Sequence, residues 1–223
     1  NNSGIGRFYA TGLSVISHPV NPKAPTSHLN IRIFKIFDKK GNLSDFWCGG
    51  GYDLTPYIPF KADTNLWHKN AKNCLDEFNK NFYRKFSKNC DEYFFLPHRN
   101  EKRGIGGIFF DSLKLKNIDK CLELLISVVE SYISSYQEIC LKRMEMPYSD
   151  DEKIFQEYRR SRYVEFNLLH DRGTKFGIES GGRADSILAS LPPSVLWPPF
   201  KDQNMKILEK KLLKHLNQNW NIK

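Results

Sequence analysis

The sequence predicts an α+β fold with a largely antiparallel sheet, and three observations carry that expectation. The first third alternates polar and apolar residues about a tight turn, Asp38-Lys39-Lys40-Gly41-Asn42, of the kind that sends a strand back antiparallel. The second half carries apolar residues at helical spacing. Strands and helices do not alternate regularly, as a parallel βαβ sheet would require. The chain has 223 residues, within the range of one large sheet-based domain. Its 16 Phe, 10 Tyr and 4 Trp supply a core and flat walls for a pocket, which excludes a disordered chain.

The elements follow in order. Phe8 to Ile16 reads as a strand, closed by His18-Pro19 and a proline-rich turn through Pro25. His28 to Phe37 is the second strand. Phe46-Trp47-Cys48 begins the return strand, which runs into Gly49-Gly50-Gly51, a triplet that lets backbone approach a ligand or a neighbouring strand closely. Leu66 through Phe86 has helical spacing with a polar interruption at Asn79-Lys80-Asn81. Gly107 to Asp111 is a further strand. Asn117 caps a long helix whose core stripe is expected to include Ile118, Cys121, Leu122, Leu125, Val128, Val129 and Ile133. Ser149 and Glu152 form a capping box for a helix expected to end near Arg160. Arg162 to Leu169 alternates again and is expected to be a strand. A short helix follows Gly181-Gly182-Arg183, then a Pro192-Pro193 stop and an amphipathic helix from Met205 to Leu216.

The strand His28 to Phe37 carries the strongest functional signal. Leu29, Ile31 and Ile33 share one face, and His28, Asn30 and Arg32 share the other, because strand side chains alternate with period two. A solvated face is the plain alternative, but imidazole, amide and guanidinium in one row offer a proton shuttle, an adaptable hydrogen-bonding group and a carboxylate clamp. Arg32, Arg99, Arg103, Arg160, Arg162, Arg172 and Arg183 lie beside expected strand ends or glycine turns, whereas lysine dominates helices and tails. Arginine is preferred where a planar carboxylate is gripped bidentately, so the partition points to a carboxylate or phosphate ligand. Structural ion pairs are the alternative use. Asp53, after the glycine triplet, is a candidate base or charge partner.

The formal charge of +9 favours an anionic partner and leaves nucleic acid, acidic lipid and polycarboxylates open. No recognised nucleic-acid module is visible. His98 to Gly107 lacks the Gly-Lys-Ser/Thr ending of a phosphate loop and leads into a strand; a glycine turn holding Arg99 and Arg103 over a pocket is the better reading. Ser14 has no nucleophile elbow around it. Five separated cysteines read as free thiols in a reducing compartment. No apolar run reaches the length of a membrane span. The expected compartment is the cytoplasm, or the mitochondrion if a targeting segment lies outside this sequence.

These residues resemble the oxygen-dependent coproporphyrinogen III oxidase family. The likeness runs through Ala10-Thr11-Gly12-Leu13-Ser14, His18-Pro19-Val20-Asn21-Pro22, the strand from Pro25 to Arg32, Gly49-Gly50-Gly51-Tyr52-Asp53-Leu54-Thr55-Pro56, and His98-Arg99 through Asp111. It continues through Arg162-Tyr163-Val164-Glu165-Phe166-Asn167, Asp171-Arg172-Gly173-Thr174-Lys175-Phe176-Gly177 and Gly181-Gly182-Arg183 to Ser190-Leu191-Pro192-Pro193. The family's glycine-rich N-terminal portion has no counterpart here, so residues 1–223 are expected to be a single catalytic domain without that segment.

The resemblance implies a large flat, mainly antiparallel sheet flanked by helices on both faces, in a homodimer joined near Tyr163 to Leu196. It implies oxidative decarboxylation of two propionates of coproporphyrinogen III to vinyl groups, giving protoporphyrinogen IX, CO2 and hydrogen peroxide in heme biosynthesis. O2 is the acceptor and no redox cofactor is required. Carried over by motif, His28 is the proton donor, Asp53 faces the pyrrole N–H groups, and Arg172 completes the catalytic set. Ser14, Asn30, Ile31, Arg32, Gly181, Gly182 and Arg183 contact substrate, and Arg103 and Arg160 pair with propionates or shape the pocket. His18, His28, His68 and His98 match positions assigned in some members to a divalent metal. A non-catalytic binder of anionic tetrapyrroles is the alternative, needing the arginines but neither His28 nor Asp53.

Overall fold

A computed structural model describes residues 5–222. Three long strands, β1 (Ile5–Ser17), β2 (Thr26–Asp38) and β3 (Leu43–Thr55), form an antiparallel meander. The turn between β2 and β3 forms where the sequence places it: Asp38 Oδ1 accepts from the backbone N–H groups of Lys40 and Asn42 at 2.8 and 2.9 Å. Two helices follow, α1 (Lys61–Asp76) and α2 (Phe82–Tyr93), separated at the predicted polar interruption. A two-stranded hairpin, β4 (Phe95–Leu96) with β5 (Glu101–Lys102), leads to β6 (Gly107–Leu113). β6 pairs antiparallel with β3, so the sheet order is β1-β2-β3-β6.

One face of this sheet is apolar and closed. Leu29, Ile33, Tyr52, Leu54, Ile108 and Phe110 pack against Trp67 and Leu75 of α1, Phe86 of α2, and Leu124, Leu125, Val128 and Tyr132 of α3 (Ile118–Arg143). Tyr52 meets Trp67 edge-on at 4.8 Å, and Phe86 stacks on Phe110 at 4.8 Å. Burial of each such side chain contributes about 1.5–3 kcal/mol. Asn117 caps α3 as expected, its Oδ1 accepting from Lys120 N–H at 2.9 Å. The buried stripe of α3 is rotated from the predicted one. Cys121, Leu125 and Val128 are buried, but Leu122 and Ile133 are 41% and 53% exposed, and Leu124, Tyr132 and Ile139 take their place.

The second half corrects one expectation outright. Ser149 and Glu152 form the predicted capping box, but the helix they start, α4, runs Asp150–Leu169, so Arg162 to Leu169 is helix, not strand. Every residue from Tyr158 to Asn167 is buried. A helix enclosed all round has no polar face, and its sequence loses the 3.6-residue stripe that would have announced it. Two of its buried charges are compensated by one carboxylate: Glu101 pairs with Arg159 at 2.9 Å and Arg162 at 3.1 Å.

Two short helices, α5 (Arg172–Glu179) and α6 (Ala184–Leu188), follow, with only Thr174 buried between them. Asp171 caps α5 and also accepts a hydrogen bond from the Tyr93 hydroxyl at 2.8 Å. Beyond α6, His18 Nε2–H donates to the Ser190 carbonyl at 2.9 Å. The segment is thereby roofed over the polar face of the sheet, around its His28 end. α7 (Gln203–Leu216) packs beside α4. The architecture is α+β, with helical layers on both faces of an antiparallel sheet. No helix among the described residues is long and apolar enough to cross a membrane.

Candidate active site

The β2–β3 register puts His28 opposite Asp53 and Asn30 opposite Gly51, while Ser14 of β1 lies opposite Asn30. These residues share the polar face of the sheet. A cavity of about 780 Å³ opens above them, walled by Tyr93, Phe94 and Phe109 on one side and by Asn167, Arg172, Thr174 and Phe176 on the other. That volume falls in the ordinary range for small-molecule pockets. Backbone forms part of the floor: at Gly51 a Cβ would lie 2.0 Å from the Ile108 carbonyl oxygen, and φ is +149°. Only glycine satisfies that position.

Asp53 is the electrostatic centre. Its Oδ1 accepts from His28 Nδ1–H at 3.2 Å, and its two oxygens accept from Arg103 Nη2 at 2.9 and 2.8 Å. Asp53 and Arg103 side chains are 2% and 1% exposed. Burial alone would push the Asp53 carboxyl up, but the Arg103 charge and the His28 hydrogen bond bring it below its ordinary value. Arg103 is sandwiched by rings, its guanidinium 4.0 Å from the Phe94 centroid, 4.5 Å from Tyr163 and 4.6 Å from Phe166. The arrangement keeps an ionised carboxylate on one imidazole nitrogen of His28, which fixes its tautomer and leaves the other nitrogen for a ligand's proton.

Most of the arginines singled out from the sequence are already engaged within the protein. Arg99 grips Glu165 through Nε at 2.8 Å and Nη2 at 2.6 Å. Arg162 reaches Glu101 and Glu165, and Arg103 holds Asp53. Arg160 is buried and donates to the Pro19 carbonyl at 2.9 Å and to the Ser194 hydroxyl at 3.3 Å, tying the β1–β2 turn to the segment after α6. It shapes the roof and does not line the cavity. Two arginines line the cavity without being buried in such pairs. Arg32 donates to Asn30 Oδ1 at 2.9 Å and meets Asp111 at 3.0 Å; Arg172 lies 5.0 Å over the Tyr93 ring and 3.6 Å from Asp111.

The cavity therefore gathers Ser14, His28, Asn30, Arg32, Arg103 and Arg172, with Asp53 directly behind His28. The Ile31 side chain points to the helical layer and packs on the core, as strand alternation requires, so it does not line the cavity. Gly181, Gly182 and Arg183 lie in the exposed turn between α5 and α6, outside the cavity lining, where Gly182 N–H donates to the Gly177 carbonyl at 2.9 Å. Asp111, Tyr93, Phe109 and Asn167 line the cavity without having been singled out. Asp111 was legible: Ile108 and Phe110 are core residues, so period two sends Phe109 and Asp111 to the other face.

The four histidines matched to a metal do not converge within the chain. His18 serves Ser190, and His28 serves Asp53. His68 is buried, with Nε2–H donating to the Ile105 carbonyl at 2.9 Å and Nδ1 accepting from the Tyr83 hydroxyl at 3.0 Å. His98 lies between Glu165 at 2.9 Å and His170 at 3.0 Å. Among the described residues no group of three or more His, Cys, Asp or Glu side chains could hold a metal ion. This donor set does not fit a metal.

An imidazole on a buried carboxylate, beside two arginines in an aromatic-walled cavity on an antiparallel sheet, can hold a proton and pair with carboxylates. The family described as coproporphyrinogen III oxidase matches residues 1–221, and the chain belongs to it. The chain is 53% identical over 190 residues to the oxygen-dependent coproporphyrinogen-III oxidase of Francisella tularensis subsp. mediasiatica (strain FSC147), and 52% identical over the same length to those of subsp. novicida (strain U112) and subsp. tularensis (strain SCHU S4 / Schu 4). Each match covers 85% of this chain and 61% of the relative, so the chain spans less than two thirds of their length.

Proposed function

We propose that residues 1–223 act as a single catalytic domain of an oxygen-dependent coproporphyrinogen III oxidase, converting two propionates of the substrate to vinyl groups. The observation that carries this reading is the His28–Asp53–Arg103 chain opening onto a cavity whose available cations are Arg32 and Arg172. For each propionate, a C–H bond and the C–C bond to the carboxylate break and a C=C bond forms. CO2 leaves, and two electrons with two protons reduce O2 to hydrogen peroxide. The electron-rich pyrrole supplies the driving chemistry. Arg32 and Arg172 anchor propionates, Asn30 and Ser14 orient the ring edge, and Asp53 faces the pyrrole N–H groups through His28. His28 moves the proton, and orientation in the pocket supplies the rest of the acceleration.

We also infer a homodimer joined near Tyr163 to Leu196, supported by exposed apolar side chains there: Ile178, Leu188, and Phe176 at 73% exposure. Gly181, Gly182 and Arg183 lie in the same region. A cytoplasmic setting fits the five free cysteines. The competing reading, a non-catalytic tetrapyrrole binder, draws on Arg32 and Arg172 alone. Steady-state turnover of coproporphyrinogen III under O2 separates the two. His28→Ala is expected to lower kcat about 10²–10⁴-fold, and Arg32→Ala to raise KM and lower kcat together. Full turnover by His28→Ala would remove the proton-transfer role, and tight binding without any wild-type turnover would favour the binder.

A further inference from the structure

We propose that Asp111 is a specificity-determining residue that limits how many carboxylates the pocket accepts. The inference rests on the tetrapyrrole reading of the cavity and goes beyond it to the selection of one class of tetrapyrrole over another. Asp111 stands between the two cavity arginines, Oδ1 3.0 Å from Arg32 Nη2 and Oδ2 3.6 Å from Arg172 Nη2. These arginines come from different elements, β2 and the first turn of α5, and both reach this carboxylate.

The backbone is shaped around the arrangement. The β3–β6 register shifts between Cys48 and Gly50, an irregularity of the kind that re-aims a side chain. Ser112, next to Asp111, has φ of +51°, and its N–H donates to Asp111 Oδ1 at 2.9 Å. On the facing strand, a Cβ at Gly49 would lie 3.0 Å from Asp111 Oδ1 and 3.2 Å from Arg32 Nε. The missing side chain at Gly49 leaves the space the ion pair occupies.

The chemical consequence is a local balance of two positive charges against one negative. Each guanidinium has five N–H donors in a fixed fork, so after Asn30 and Asp111 are served, donors remain for an incoming carboxylate. A tetrapyrrole with one propionate per ring can present one carboxylate to each arginine. A tetrapyrrole with two carboxylates per ring brings a further anion against Asp111, where like charges repel and both cavity arginines are already paired. Removal of the Asp111 charge leaves both arginines uncompensated, and the penalty on the more acidic ligand falls.

Equilibrium binding of coproporphyrin III, with four carboxylates, and uroporphyrin III, with eight, to the wild type and to D111N, Asp111→Ser and Asp111→Glu tests this by quenching of porphyrin fluorescence at fixed ionic strength. The wild type is expected to prefer the four-carboxylate ligand, and both charge-removing variants to narrow that preference about tenfold or more, chiefly by tightening the eight-carboxylate ligand. Asp111→Glu, which keeps the charge, is expected to keep the wild-type ratio. A ratio unmoved in D111N and Asp111→Ser, or an Asp111→Glu variant that behaves like them, overturns the proposal while leaving the pocket reading in place. A wild type that binds neither porphyrin overturns the pocket reading, and this inference with it.

Discussion

The two faces of the central sheet are built from the same strands under opposite rules. On one, Leu29, Tyr52 and Leu54 are driven against α1 and α3, and packing leaves no space. On the other, His28, Asn30, Arg32 and Asp53 project from the alternate positions, and bare backbone at Gly50 and Gly51 leaves a floor. The first face stabilises the fold through area removed from water. The second holds charges at a desolvation cost, offset only where a counter-charge is within hydrogen-bond reach. A period-two strand can thus separate the stabilising and the reactive chemistry by one residue.

The largest expected effect is on the packed face. Trp67 is fully buried among Tyr52 and Tyr132, so Trp67→Ala is expected to cost about 3–5 kcal/mol in urea unfolding. A loss under about 1 kcal/mol would mean that this layer does not carry the stability. On the polar face, Asp53→Asn strips the counter-charge from buried Arg103, and about 3 kcal/mol is expected. Combining it with Arg103→Met, which removes the stranded cation, is expected to recover much of that loss. Failure of the double variant to recover would show that the pair matters for shape and not for charge.

A smaller effect, dependent on pH, comes from the edge of the polar region. Burial raises the Glu165 carboxyl, but hydrogen bonds from Arg99, Trp197 and His98 outweigh it and hold the group at about 2, against an ordinary 4.5. A depressed carboxyl stabilises the fold at pH above its unfolded value, and that contribution is lost as pH falls through the folded one. Thermal unfolding of the wild type is therefore expected to lose stability steadily from about pH 4.5 down to about pH 2. E165Q is expected to be less stable at neutral pH and to show a shallower decline over that interval. Parallel curves for the two proteins would place the acid sensitivity elsewhere.

The sheet was legible because its signals are local: alternation in β1 to β3, the Asp38 to Asn42 turn, and Asn117 and Ser149 as caps. The polar row on β2 was legible for the same reason. What failed depended on partners far away in the chain. Arg162 to Leu169 looked like a strand because burial on all sides of α4 erased its helical period. Arg99 and Arg162 read as ligand anchors because nothing local reveals that Glu165 and Glu101 wait for them across 66 and 61 residues. For Ile31, which the family resemblance assigns to substrate, the strand's own alternation places the side chain against the core.

The roof over the cavity is a separate matter from the frame beneath it. α5 and α6 have eight and five residues, too few to be stable helices alone, and they bury little besides Thr174. Their anchorage is concentrated at the ends, in the Tyr93–Asp171 and His18–Ser190 hydrogen bonds. In the free chain, a segment so tethered opens at a free energy far below that of global unfolding. Backbone amides from Arg172 to Leu188 should accordingly exchange with solvent deuterium long before those of β2 and β3. A rigid flat ligand could then enter through a transient local unfolding, with the strands that hold His28 and Asp53 staying fixed.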